Sequence, residues 1–436
     1  MKRFFRAIIA TLAAVTMAAT VSPAFAANAA TSTGSVTNSL DVDAKAAIAI
    51  DANSGKVLYA KNAKQVLPIA SMSKLITVYL LLQAIKQGKV KWTDRVTPDK
   101  EIYKISQDRS LSNVPLRQDK SYTVRELYQA TLIYSANAAA MMLGDIVAGN
   151  ENKFIDMMNA QVKKWGINDA TIVNANGLSN SALGSYIYPG SGKNGENVMT
   201  AADMATVAQH LLKDYPEVLQ TTSIANKTFR AGTSDATKMP NWNFMLKGLV
   251  AAQPDLNVDG LKTGTTDTAG DCFTGTATEN GERIITVVLH AGGTGTTKRF
   301  VQTAKLMRWT FNNWQKMTVI KAGSTVAGHK TIAVNKGKQE TVPLVASKTV
   351  TTMVPAGTSK SDVQLNYKAK STSLNAPSQK GTTVGNIDVH VKGDDLGYLD
   401  GKAYDQVPVK TTQTVEKAGF FRLIFRGIGD FFSNLF

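Results

Sequence analysis

The chain is expected to fold as an α+β protein: one antiparallel sheet packed by helices, followed by a small all-β domain. Three observations carry this expectation. Strand patterns at 46–60 and again from 258 to 289 bracket a long stretch of helical patterns. After Trp314 the texture changes to short β-branched runs in a background of Thr, Val, Lys and Gly. At 436 residues the chain exceeds one ordinary domain, and 43% hydrophobic with 19% charged residues is globular rather than disordered composition.

Taken in order, the first 26 residues read as an export signal. Lys2, Arg3 and Arg6 form a basic start, 8–21 is apolar apart from small hydroxyl residues, and Ala24-Phe25-Ala26 offers a small-x-small cleavage site. Its loss lowers the formal net charge from +16 to +13. Residues 27–42 are a polar lead-in. Residues 46–50 and 56–60 read as strands of a hairpin around Asp51-Ala52-Asn53-Ser54-Gly55. A helix over 71–86 follows, and 88–121 is mixed and polar with few strong signals. Thr123 and Glu126 are spaced as a capping box, with Ser121 as an alternative cap. Apolar helical segments then run to Leu143, broken near Tyr134-Ser135-Ala136-Asn137. Another helix over 154–165 stops at Gly166, Asn174 to Leu178 is a turn, and 179–197 is a Gly/Ser/Asn-rich loop. Thr200 caps a helix through Leu212. Strands at 261–265, 272–277 and 284–289 come next, the last two joined at Glu279-Asn280-Gly281, and a helix over 299–314 closes the region.

Residues 43–316 thus form one domain and 318–412 a second, β-rich one whose histidines, His329 and His390, stand isolated. In 413–436, Phe421, Ile424, Phe425, Ile428, Phe431, Phe432 and Leu435 recur at helical spacing, opposite Arg422, Arg426, Asp430 and Ser433. A helix over 420–436 is only ~25 Å long and carries charge, so it is expected to lie in a membrane interface rather than span it. Six of the chain's 15 Phe crowd into this tail, which favours the membrane over packing on the protein's own core. The positive charge of an exported chain points to an anionic neighbour such as lipid head groups or wall polymers. No basic run interleaved with aromatics supports nucleic-acid binding. A single cysteine, Cys272, excludes an intramolecular disulfide and reads as an apolar filler. Four unpaired histidines give no zinc pattern, so neither metal nor cofactor is expected.

The chemistry begins at Pro68-Ile69-Ala70-Ser71-Met72-Ser73-Lys74. The helix it opens is apolar on nearly every side, hence buried, and too short in its apolar run to cross a bilayer. Ser71 and Lys74, three apart, share one face of the first turn. A buried lysine loses basicity and can take a proton from a neighbouring hydroxyl. Alone this motif is weak, since roughly two chance matches are expected in a chain of this length. Two further signals follow in order. Ser135-Ala136-Asn137 sits at the break between helical segments, and Lys262-Thr263-Gly264, the only such triplet, opens a strand. Together, each in its structural context, the three are a strong signal.

They resemble the penicillin-binding protein and serine β-lactamase superfamily. The resemblance is closest to the low-molecular-mass D-alanyl-D-alanine carboxypeptidases, whose order of export signal, peptidase domain, β-domain and amphipathic anchor covers nearly the whole chain. Val258-Asp259-Gly260-Leu261 and Thr265-Thr266-Asp267-Thr268-Ala269-Gly270 fit the same subgroup. The resemblance implies a DD-peptidase-like fold with an all-helical lobe. It implies Ser71 as nucleophile toward stem peptides ending in D-Ala-D-Ala and toward β-lactams, Lys74 as its base, and Ser135 as proton relay. Asn137 is expected to hold a substrate amide, and Lys262 to lower the basicity of Lys74. The Ser71 and Thr265 N–H groups are expected to form the oxyanion hole, one at the helix start and one on the edge of the strand that Lys262-Thr263-Gly264 opens. Thr263 and Thr265 would bind the terminal carboxylate with Arg299, for which a solvated helix charge is the competing reading. Asn176 departs from the expected His or Asp and receives no role. A β-lactamase is the nearest alternative, but the Glu-x-x-Leu-Asn pattern that would activate water is absent. A catalytically silent wall-associated scaffold, and transpeptidase or endopeptidase variants, also remain open.

Overall fold

The computed structural model describes residues 40–433. The export signal and most of the lead-in lie outside the described residues, as do 434–436 and the side chains of 429–433. The central sheet has five antiparallel strands: β1 (Ala44–Asp51), β2 (Val57–Lys61), β3 (Asn257–Thr266), β4 (Gly270–Glu279) and β5 (Glu282–Ala291). Their order is β2-β1-β5-β4-β3, so the N-terminal hairpin completes a sheet whose other strands lie two hundred residues later.

Side chains alternate across a strand, and here both faces are covered. Ile285, Val287 and Leu289 of β5 join Ile48 and Ile50 of β1 in the core shared with the helical lobe. Ile284 and Val288 join Ala47 and Ala49 against Phe300, Ala304 and Met307 of a helix on the other face. Burial on both sides explains why 284–289 is continuously apolar apart from one threonine.

The lobe contains α1 (Lys74–Lys86), α2 (Lys100–Gln107), α3 (Val124–Ile133), α4 (Asn137–Ala148) and α5 (Glu151–Lys164). Then come α6 (Ala201–Asp214) against β1 and β5 and α7 (Lys298–Asn313) on the far face. α1 packs against α3, α4, α5 and α6, which is why it is greasy all round. The expected caps form: Thr123 accepts from the Glu126 N–H at 3.2 Å while Glu126 accepts from the Thr123 N–H at 2.7 Å. Ser121 instead accepts from Arg95 at 2.8 Å. Asp203 N–H donates to Thr200 at 3.0 Å.

Three local features differ from the sequence reading. α2 arises inside the stretch without strong signals, because only Ile102 and Ile105 of its apolar face are buried, too few to show a period. A mostly exposed hairpin, Asn226–Phe229 with Thr237–Pro240, has no inward-facing alternation to reveal it. The closing helix ends at Asn313, and Trp314 opens a strand, Trp314–Ile320, paired with Val350–Pro355. Trp314 is buried and donates to the Leu58 carbonyl at 2.9 Å, so an apolar residue that fits a helical period serves a strand instead.

The second domain has its own six-stranded sheet and core, with Val342, Leu344, Ile387 and Val407 among the buried residues. Its histidines each pack on a tyrosine, His329 4.8 Å from Tyr367 and His390 4.2 Å from Tyr404. It docks on the β1–β2 turn. Val57 N–H donates to the Gly397 carbonyl at 2.9 Å, Leu399 N–H to the Gly55 carbonyl at 3.0 Å, and buried Lys56 pairs with Asp394. The tail forms α8 (Phe420–Ser433), with Phe420, Phe421 and Phe425 more than two-thirds exposed. On its other side Arg426 reaches the Gly337 carbonyl at 3.1 Å and Glu340 at 3.0 Å. Among the described residues no helix is long and apolar enough to cross a membrane.

Candidate active site

A cleft of about 480 Å³ opens where the start of α1, the α3–α4 break and the edge strand β3 meet. Ser71, Ser135, Asn137, Thr263, Thr265 and Arg299 all line it. Ser71 sits in a 3-10 turn (Ala70–Ser73) that precedes α1, and Lys74 is the first residue of α1. Residues three apart eclipse in a 3-10 turn, which brings the Lys74 amine within 2.8 Å of the Ser71 hydroxyl.

Two glycines let backbone close on this turn. A Cβ on Gly264 would stand 2.6 Å from the Ile69 carbonyl, so β3 lies directly against the turn. A Cβ on Gly177 would stand 1.9 Å from the Ala70 carbonyl, and its φ of +79° also suits glycine. Close approach at Gly177 delivers the Asn176 carbonyl to Lys74.

Lys74 is fully buried with three partners: Ser71 Oγ at 2.8 Å, Asn137 Oδ1 at 2.8 Å and the Asn176 carbonyl at 2.6 Å. The Asn137 amide is oriented by its Nδ2, which donates to the Ser112 carbonyl at 3.0 Å. Two of the three partners can therefore only accept. A neutral amine has two N–H bonds and one lone pair. In the neutral form, with both N–H bonds directed at the carbonyl oxygens, the lone pair would be left to the Ser71 hydroxyl, which in this structure donates to the Asn176 carbonyl at 3.4 Å. Burial, and secondly the charge of Lys262, hold Lys74 well below the ordinary lysine range.

Lys262 is itself buried, donates to the Thr263 carbonyl at 3.0 Å, and is pushed down to about 7 by burial and by Arg299. Its influence on Lys74 thus fades as pH rises through neutrality. Ser135, at the break between α3 and α4, has a φ of +59° and faces the cleft, but is not among the Lys74 partners.

Arg299 is buried in the cleft wall, which excludes the solvated helix charge. Its Nη1 donates to the Gly264 and Cys272 carbonyls at 2.8 and 3.0 Å, and its Nη2 to Thr265 Oγ1 at 2.7 Å and to the Asp271 carboxylate. Cys272 is buried and its thiol is pushed up to about 12, in keeping with an apolar filler. Sequence reasoning missed the Asn176 carbonyl, because a backbone oxygen has no residue signature. It also missed Asp271, which the β3–β4 register sets opposite Thr265, and Glu151, which accepts from the Ala175 N–H at 3.0 Å beneath the 174–178 loop.

Residues 31–293 match the family described as D-alanyl-D-alanine carboxypeptidase, and 314–417 match the C-terminal domain of penicillin-binding protein 5. D-alanyl-D-alanine carboxypeptidase DacC of Escherichia coli (strain K12) is 34% identical over 382 residues, 87% of this chain and 86% of that protein. The crystal structure of a peptidoglycan synthesis regulatory factor (PBP3) from Streptococcus pneumoniae is similar with a TM-score of 0.70 at 37% identity. It covers 86% of this chain and 100% of that one. Penicillin-binding protein D2 from Listeria monocytogenes, in its cefotaxime-bound form, matches with a TM-score of 0.51 at 36% identity over 62% of this chain and 98% of that one. With the motif geometry and a match over more than half its length, the chain belongs to the D-alanyl-D-alanine carboxypeptidase family.

Proposed function

We propose that the protein is a serine-type D-Ala-D-Ala carboxypeptidase that trims the terminal D-alanine from peptidoglycan stem peptides and is acylated by penicillins at the same serine. The observation that carries this reading is the neutral-amine geometry at Lys74: two obligate acceptors take its N–H bonds and leave its lone pair to Ser71. Lys74 removes the Ser71 proton as Oγ attacks the carbonyl of the penultimate D-alanine. The N–H groups of Ser71 and Thr265 stabilise the oxyanion. The tetrahedral intermediate collapses, the C–N bond breaks, and the proton held by Lys74 passes through Ser135 to the departing amine. Asn137 holds a substrate amide, Lys262 tunes Lys74, and Thr263 and Thr265 receive the terminal carboxylate beside Arg299. Water then hydrolyses the ester and regenerates Ser71.

The name of the cefotaxime-bound Listeria relative supports β-lactam recognition. Against the β-lactamase reading, Asp271, the acidic residue that lines the cleft among the described residues, is tied to Arg299 and Lys298. We assign the chain to the outer face of the cytoplasmic membrane after export, held there by the exposed Phe face of α8. The test is release of D-alanine from a peptide ending in D-Ala-D-Ala. The unsubstituted protein should release it and Ser71→Ala should not. Equal release by both would overturn the mechanism, and rapid turnover of a fluorescent penicillin without a lasting adduct would favour the lactamase.

A further inference from the structure

The carboxylate end of the cleft already contains a carboxylate. Asp271 lies on β4 opposite Thr265 of β3, is about 14% exposed, and pairs with Arg299 while standing 3.5 Å from Lys298. The four N–H bonds on the two terminal nitrogens of Arg299 are all taken, by the Gly264 and Cys272 carbonyls, Thr265 Oγ1 and Asp271. All four partners lie on the β3–β4 strand pair, and the two backbone carbonyls are fixed by its register. Asp271 is the one charged partner, and it shares the cleft with Thr263 and Thr265.

We infer that Asp271 is a specificity-determining residue that weakens recognition of anionic chain ends, because an incoming carboxylate must compete with it for Arg299. An uncompensated guanidinium would attract the substrate terminus as a full charge. Here Asp271 offsets the guanidinium charge at short range, although it is shared with Lys298 of the cleft lining, and it occupies one of the arginine's directed donors, so the Thr263 and Thr265 hydroxyls carry more of the recognition. A substrate carboxylate that reaches Arg299 must either displace Asp271 or lie beside it, where like charges oppose each other. This protein is therefore less selective for a free C-terminal carboxylate over a neutral terminus than its buried arginine suggests. The inference rests on the carboxypeptidase reading.

The experiment compares the unsubstituted protein with Asp271→Asn, which keeps the side chain's shape and removes its charge. Substrates are a peptide ending in D-Ala-D-Ala and the same peptide with a C-terminal carboxamide. Asp271→Asn should lower KM for the acid by about tenfold, as expected for one charge-assisted interaction regained. The change should fall in KM rather than kcat, with little effect on the carboxamide, a split that a merely structural role would not produce. Unchanged or raised KM for the acid overturns the inference while leaving the carboxypeptidase reading standing. As a second measure that needs no variant, the unsubstituted protein should prefer the acid to the carboxamide by less than about tenfold in kcat/KM, and any larger preference overturns the inference. Absence of D-alanine release by the unsubstituted protein contradicts both readings together.

Discussion

At the scale of single residues, the site depends on which groups can donate and which can only accept. The pairing of Ser71 with Lys74 was legible from their three-residue spacing at the start of an apolar helix, but only with Ser135-Ala136-Asn137 and Lys262-Thr263-Gly264 following in order. The arrangement that would leave the lone pair of a neutral Lys74 to Ser71 was not legible. It depends on a backbone carbonyl at Asn176 and on the orientation of the Asn137 amide, and neither has a signature in residue order. Lys262 makes the testable contribution. Its charge lowers the basicity of Lys74, so Lys262→Ala should raise the Lys74 pKa and reduce its neutral fraction at neutral pH. Acylation by a fluorescent penicillin should slow by about tenfold at pH 7, with the acid limb of its pH profile displaced upward. Because Lys262 itself titrates near 7, the difference between the two proteins should narrow at higher pH. An unchanged profile would remove Lys262 from the mechanism.

At the scale of elements, the 174–178 loop is as much a part of the site as α1. Asn174 accepts from the Gly177 N–H at 2.6 Å, Asn197 accepts from the Val173 N–H at 2.7 Å, and Thr77 donates to the Ala175 carbonyl at 2.6 Å. Glu151 completes the support from α5, buried, with one oxygen on the Ala175 N–H and the other without a partner. Burial, reinforced by the nearby Asp145 charge, pushes its carboxyl up to about 8, so it is largely neutral at pH 7. A carboxyl whose folded pKa is raised contributes stability that is fully present below its ordinary value and is lost as pH rises through about 8. Glu151→Gln imitates the neutral form and lacks this loss. Thermal unfolding of the two proteins should therefore match more closely at pH 6 and separate at pH 9, the substituted protein being higher by roughly 2–4 °C. Parallel curves would contradict the burial argument. The turn at 174–178 was legible from its Asn and Gly content, but its packing against the serine was not, since that depends on Gly177 meeting Ala70 across a hundred residues.

At the scale of the whole molecule, the α+β class and the change to a β-domain were legible from periodicity and texture. The strand order was not, because joining β1 to β5 is a long-range choice that local pattern does not encode. Nor was the docking of the β-domain on the β1–β2 turn, where a lysine–aspartate pair is buried between elements more than three hundred residues apart. The proposed membrane anchor rests on the exposed Phe face of α8, with Arg426 holding the helix to the β-domain. Deleting 413–436 should release the protein from membranes, read by flotation with lipid vesicles, while peptidase activity on soluble peptides persists. Retention on the vesicles would refute the anchor. The proposed mechanism runs through one bond, the ester between Ser71 and the acyl group. Mass spectrometry of the protein after exposure to penicillin should find one lasting adduct on the peptide containing Ser71 and none in Ser71→Ala. An adduct on another residue, or its survival in Ser71→Ala, would contradict the account.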